Sequence, residues 1–198
     1  MEIVEVENFL PQSLQKHLLH ILKSEDFSWH YIHDVTQDIH GNSIYNQPGF
    51  FNMPVLDGVP RNKNYDIFSF MVPMLVEEFN KHYSDSNLFL SRIRIGMNIP
   101  PTSDNTLAEY NTPHIDHDEN NSSHIKKNVV ALYYVNAVEG DTFIFNETTK
   151  SKNYSIMKKI SPKMGKLVFF DGNHYHASSC SRSSDVRIVI SFNLYEFH

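Results

Sequence analysis

Apolar positions along this chain switch from helical spacing over residues 66–83 to a period of two from Leu90. Residues 1–9 alternate Ile3, Val4, Val6 and Phe9 with acidic residues, which predicts an opening strand. Leu10-Pro11 then begins a helix, with proline tolerated in a first turn. Leu14, Leu18, Ile21 and Leu22 keep helical spacing through about Lys23, one face of a helix packed on a core. Residues 66–83 repeat the pattern with Ile67, Phe70, Met71, Met74, Leu75 and Phe79, and Pro73 marks either the start of that helix or a kink in it.

From Leu90 to Ile99 the period is two. Arg92, Arg94, Gly96 and Asn98 share one face, and Ser91, Ile93, Ile95 and Met97 the other. Pro100-Pro101 ends this strand, and 102–112 reads as a polar loop. Further strands follow at Asn128–Val138, Thr142–Asn146, Ile156–Ile160, Lys166–Phe170 and Val186–Tyr195, separated by turns such as Glu139-Gly140-Asp141 and Ser161–Gly165. Residues 24–64 are less regular. Alternation over Phe27–Tyr31 suggests a strand and Asn46–Gly49 a turn, while Phe50 and Phe51 suit either a core or a cleft wall. Short strands after two helices predict a mainly β protein with flanking N-terminal helices, its sheets curled into a jelly roll.

Composition narrows the class. At 198 residues with 40% hydrophobic and 20% charged residues, a single globular domain spanning 1–198 is expected. Within it, 1–89 would be helical and β support and 90–198 the β core. A net charge of −6 gives no basic footprint, which speaks against a nucleic-acid partner. One cysteine, Cys180, cannot form an internal disulfide, and no apolar run is long enough for a membrane span. The expectation is an intracellular, cytoplasmic chain without membrane association.

Against this background, His114-Ile115-Asp116 stands out. On extended backbone, residues two apart point the same way, so His114 and Asp116 can face one metal ion. His117 falls on the opposite face and Asp118 further along; both are read as supporting or surface groups. A third ligand comes from His174 or His176, also two apart, and chemistry alone does not separate them. Two histidines and one carboxylate with positions left open form the ligand set of non-haem Fe(II) oxygenases. His30, His33 and His40 lack a ligand partner at useful spacing and are read as structural or solvent-facing.

Arg187 interrupts an apolar strand. A guanidinium in that place cannot shed its charge and calls for an anion, ideally a carboxylate met by its planar fork. Tyr134, inside the Val129–Val135 run, can turn its hydroxyl to the same anion or simply pack in the core. Arg182, in a serine-rich loop, is read as solvated.

His114-x-Asp116, His176 followed by Ala177-Ser178, and Arg187 eleven residues later resemble the 2-oxoglutarate/Fe(II)-dependent dioxygenases, most closely their prolyl 4-hydroxylase-like branch. Tyr133–Asn136, Gly140–Phe145 and Pro162–Gly172 add to the likeness, which covers about residues 90–195. The resemblance implies a double-stranded β-helix and an Fe(II) ion held by His114, Asp116 and His176. Arg187 would bind the far carboxylate of 2-oxoglutarate with Tyr134 assisting, and Asn98 would touch the cosubstrate. It further implies O2 as second cosubstrate, ascorbate as an optional reductant, and hydroxylation of an unactivated C–H bond, of a prolyl or other amino-acid residue in a peptide, protein or free amino acid. This sequence departs from the family in having Gly140-Asp141 where a Gly-Gly pair is usual. Val189 stands where some relatives carry a hydroxyl beside the carboxylate. Two other readings of the same residues stay open: a cupin-like metal-binding protein without oxygenase activity, and a non-catalytic jelly-roll module.

Overall fold

The computed structural model describes residues 1–35, 47–100, 109–116, 124–179 and 185–198. The expectations for His40, Asn46, His117, Asp118, Cys180 and Arg182 lie outside the described residues. The chain is mainly β, as its alternating apolar pattern predicts. Strands β1 (Val4–Val6), β2 (His30–Ile32), β3 (Gly49–Leu56), β4 (Val59–Pro60), β5 (Phe89–Asn98), β6 (Ile125–Tyr134), β9 (Leu167–Asp171) and β11 (Arg187–Phe197) make one sheet. Its order is β1-β9-β6-β11-β5-β3-β2, with β4 on β3, and these strands pair antiparallel. A smaller sheet, in the order β10-β7-β8, is formed by β7 (Thr142–Phe145), β8 (Ile156–Ile160) and β10 (His176–Ser178). The two sheets form the double-stranded β-helix.

Alternation decides what each face carries. Ile93 and Ile95 of β5 and Ile188, Ile190, Phe192 and Leu194 of β11 are all buried in the main core. There they meet helix α1 (Gln12–Lys23), the short helix α2 (Tyr65–Phe68) and helix α3 (Met71–His82). Each such side chain contributes about 1.5–3 kcal/mol by leaving water. The opposite face of the same strands turns toward the smaller sheet. It carries Arg92, Arg94, Gly96 and Asn98 on β5, which pair across with Asn193, Ser191, Val189 and Arg187 on β11. Val130, Leu132 and Tyr134 of β6 cluster with Val168, Phe170 and Ile144 in a second, smaller core on this side.

The helix expected over 66–83 is two helices. Pro73 has no N–H to give to the carbonyl four residues back, and its ring crowds that carbonyl, which belongs to Ser69. The chain therefore breaks at Ser69-Phe70 and α3 restarts at Met71, with Pro73 in its first turn. β6 ends at Tyr134, not at Val138, because the side chain of Asn136 takes over the pairing with the last strand. It donates to the carbonyl of Val186 (2.7 Å) and accepts from the N–H of Ile188 (3.0 Å). The strand expected over Phe27–Tyr31 lies slightly later, at His30–Ile32. β3 runs through the region read as irregular; it carries Pro54 and a register shift between Asn52 and Val55, which hide its alternation. α1 is tied down by Gln15, whose amide donates to Leu10 O at 2.7 Å and fills the space above Gly165, a residue with φ +79°.

Candidate metal centre

Three elements bring the ligand residues together. His114 sits in an isolated bridge with His176 of β10: each backbone N–H donates to the other's carbonyl, at 3.0 and 2.9 Å. Asp116 follows two residues later, over the inward face of β5 and β11. The ligand atoms of His114, Asp116 and His176 all lie within 4.8 Å of one another, the one group of this kind among the described residues. Both imidazole Nε2 atoms face the same carboxylate oxygen, Asp116 Oδ1, at 3.7 Å from His114 and 3.8 Å from His176.

Backbone carbonyls fix the tautomers. His114 Nδ1 is 3.2 Å from Thr112 O, and His176 Nδ1 is 3.3 Å from His174 O. A carbonyl only accepts, so each Nδ1 carries the proton and each Nε2 is left with its lone pair toward the shared point. His174 is turned elsewhere, with its Nδ1 at 2.9 Å from Phe145 O. Of the two histidines left open by the sequence, the fold places His176 with the pair.

Asp116 is held from two sides. Oδ1 forms an ion pair with Arg92 Nη2 at 2.6 Å, while Oδ2 accepts from Ser191 Oγ (3.3 Å) and Asn193 Nδ2 (3.2 Å). Arg92 Nε in turn donates to Asn193 Oδ1 at 2.9 Å. Burial alone would raise the Asp116 carboxyl. Arg92 and the two imidazoles overcome it and hold the group well below the usual carboxylate range. It is therefore an anion at neutral pH, the form a metal needs. His114 is pushed down, by desolvation first and by His176 second, with Asp116 opposing. More than half of its side chain, 55%, remains open to solvent, and water at this mouth softens the first cause. A lowered value leaves the imidazole neutral at pH 7, again the ligating form. The donor set fits a borderline divalent ion such as Fe(II).

A second polar corner lies where Thr142 of β7 pairs with Ser178, two residues along β10 from His176 and about 7 Å away by strand rise. Arg187 is 3% exposed. Its Nε donates to Gly140 O (2.7 Å) and its Nη2 to Thr142 Oγ1 (2.8 Å), and its guanidinium carbon lies 5.6 Å from the Tyr134 ring centre. Tyr134 also donates its hydroxyl to Thr142 Oγ1, at 2.7 Å. Among the described residues no carboxylate pairs with Arg187. The anion that its burial demands is not supplied by any described residue. Thr142 already accepts two hydrogen bonds, so its own O–H proton is free to be donated into the cavity. Asn98 lies opposite Arg187 across the β5–β11 ladder, with a hydrogen bond of 3.4 Å to Ser178 Oγ.

Residues 105–195, which contain the three ligands and the Arg187 corner, match the model of the 2OG-Fe(II) oxygenase superfamily. The likeness covers a little under half of the chain, the stretch that bears the ligands. No curated protein matches the sequence. Solved structures share the fold at low identity. An oxidoreductase of the 2OG-Fe(II) oxygenase family from Burkholderia pseudomallei is 11% identical with a TM-score of 0.67, over 99% of this chain and 85% of that one. The non-heme alpha ketoglutarate dependent epimerase SnoN from nogalamycin biosynthesis is 10% identical with a TM-score of 0.65, over 98% and 78%. The viral collagen prolyl hydroxylase of Paramecium Bursaria Chlorella virus-1 is 14% identical with a TM-score of 0.59, over 99% and 97%. An epimerase and a prolyl hydroxylase on one fold show that the scaffold does not select the reaction.

Sequence reasoning missed Thr142, Ser191 and Asn193 as site residues. Thr142 was in view within Gly140–Phe145, and it supplies beside Arg187 the hydroxyl that Val189 lacks. The two-residue alternation from Arg187 to Ser191 and Asn193 marks the other two. Arg92 was placed on the correct face but without a partner.

Proposed function

We propose that the protein is an Fe(II)- and 2-oxoglutarate-dependent oxygenase that hydroxylates an unactivated C–H bond, with a prolyl or other amino-acid residue of a peptide, protein or free amino acid as substrate. The observation that carries this reading is the pairing of a His–Asp–His cluster with a buried, anion-seeking arginine inside one barrel. A metal-binding protein without 2-oxoglutarate has no use for the second corner. Iron and 2-oxoglutarate, when bound, supply oxidative decarboxylation to succinate coupled to hydroxylation by O2.

The chain's own residues supply position and charge. His114, Asp116 and His176 hold the ion by Nε2, Oδ1 and Nε2, and Arg92, Ser191 and Asn193 keep the carboxylate from swinging away. Arg187 takes the far carboxylate of 2-oxoglutarate with its fork, the Thr142 hydroxyl donates to the same group, and the Tyr134 ring walls it. Asn98 borders the cosubstrate. The apolar lining from Leu132, Val168 and Phe170 excludes water from the space between the corners. Ascorbate would serve only to keep iron reduced.

The test is succinate release from 2-oxoglutarate with Fe(II), O2 and ascorbate, across a panel of peptides and free amino acids. Wild type is expected to release succinate in step with a substrate mass gain of one oxygen, and Asp116→Ala to release none. Equal release by both proteins, or none by wild type across the panel, overturns the reading.

A further inference from the structure

Arg94, on β5 beside Arg92, is a third arginine on the inward face of the main sheet, and its surroundings differ from those of Arg92 and Arg187. Arg92 on one side has Asp116, and Asn98 on the other has Ser178. Arg94 stands between them, opposite Ser191, whose hydroxyl touches the Asp116 carboxylate. Among the described residues Arg94 makes neither a hydrogen bond nor an ion pair. Its guanidinium carbon lies 5.9 Å from the centre of the Phe51 ring on β3. Across the cavity it is repelled by Arg92 and attracted more weakly to Asp116, and partial burial costs its charge some solvation.

The next inward position, Gly96, has no side chain. A Cβ there would stand 3.6 Å from Arg94 Nη1 and 3.9 Å from Val189 Cγ2. Arg94 thus leans along the strand past Gly96, from beside the metal ligands toward the Arg187 corner. A guanidinium in such a place has five N–H donors and no acceptor among the described residues, and stacking on one ring of Phe51 satisfies none of them.

The geometry points to Arg94 as the anchor of a carboxylate bound beside the metal ligands, separate from the one that Arg187 takes. This rests on reading the site as that of a 2-oxoglutarate oxygenase. The carboxylate is either the inner one of 2-oxoglutarate itself or an acid group on the substrate; both present the same planar oxyanion to the same fork.

The experiment is calorimetry on the full chain loaded with Mn(II), which blocks turnover, using wild type, Arg94→Gln, Arg94→Lys and Arg187→Gln. 2-Oxoglutarate is titrated first, then acetate onto the Mn(II)–2-oxoglutarate complex. At least a tenfold loss of 2-oxoglutarate affinity in Arg94→Gln assigns the anchor to the inner carboxylate. An unchanged 2-oxoglutarate affinity with loss of acetate binding assigns it to a substrate acid. Arg94→Lys keeps the charge and loses the fork, so it is expected to fall between wild type and Arg94→Gln, and it carries the test if Arg94→Gln does not fold. If both titrations match wild type in the folded variants, Arg94 is only a stacking partner of Phe51 and the inference is overturned. If wild type binds Mn(II) but no 2-oxoglutarate, it is the functional reading that fails, whatever acetate does.

Discussion

Arg92 and Arg187 sit on neighbouring strands of one barrel wall, both turned inward, and they solve the same electrostatic problem in opposite ways. Arg92 has a protein carboxylate at 2.6 Å and its charge is cancelled before any ligand arrives. Arg187 is the more buried of the two and has only a carbonyl and a hydroxyl. Neutral partners satisfy its N–H groups but leave its charge uncompensated, and in a desolvated pocket that charge is costly. A cation with a resident anion belongs to the architecture of the metal corner. A cation without one is stored affinity for a ligand.

The comparison is broken most sharply by removing each arginine in turn. Arg92→Met leaves Asp116 buried and ionised without its cation, and the metal-free protein is expected to lose about 3 kcal/mol, the lower end for a broken buried pair because both groups still touch water. Denaturant unfolding measures it, and added metal should restore much of the loss by supplying the missing charge. The pH profile gives a second reading. A carboxyl lowered in the folded state contributes stability that is fully present above its ordinary value of 3.8 and is lost as pH falls through its lower folded value. His114 acts in the same direction, since its lowered imidazole favours the folded state above about 6.5 and less so below. Acid destabilisation of the metal-free protein should therefore be steep in wild type and shallower in Arg92→Met. An Arg92→Met variant as stable as wild type would mean that Asp116 finds a substitute cation.

Arg187→Met should do the reverse. It removes an uncompensated charge, so stability is expected to stay within about 1 kcal/mol of wild type, the lost bonds to Gly140 and Thr142 being offset by the relief of a buried cation. Affinity for 2-oxoglutarate should fall by about two orders of magnitude, the worth of a bidentate charge-assisted pair. Anaerobic titration of the metal-loaded protein reads the affinity and thermal unfolding reads the stability. A large loss of stability with unchanged affinity would put Arg187 in the architecture instead of the binding site.

The difference between these two arginines was only half legible in the sequence. Arg187 was conspicuous because it interrupts Val186–Phe192, an apolar run in which a charge needs explanation. Arg92 was not, because Arg92 and Arg94 alternate with isoleucines, and period two places them on a face without saying what that face meets. Pairing across strands supplies that: Asn193 against Arg92 and Ser191 against Arg94 are register facts, set by contacts a hundred residues apart. The same holds for His176 over His174. Both alternate, and only the bridge to His114 places one of them with the pair. β3 escaped notice because Gly49 read as the end of a turn and Pro54 breaks the alternation, although the strand tolerates them near its start and at a register shift.

The smallest effect tests the finest part of the contrast. Thr142 Oγ1 accepts from both Arg187 and Tyr134, so its own proton has no acceptor in that pair and is aimed by elimination at the cavity. Thr142→Val keeps the shape, removes the donor, and leaves the Tyr134 hydroxyl buried without its acceptor. A donor to a carboxylate is worth about 1.5 kcal/mol at the low end for a charged acceptor, which predicts about a tenfold weaker 2-oxoglutarate affinity. Thr142→Ser, which keeps the hydroxyl, should bind as wild type does. Tyr134→Phe separates the two partners: it returns a lone pair to Thr142 without touching its proton, so 2-oxoglutarate affinity should change less than in Thr142→Val. If Tyr134→Phe weakens binding as much as Thr142→Val, the donor to the carboxylate is the tyrosine, and the hydroxyl of Thr142 merely orients it.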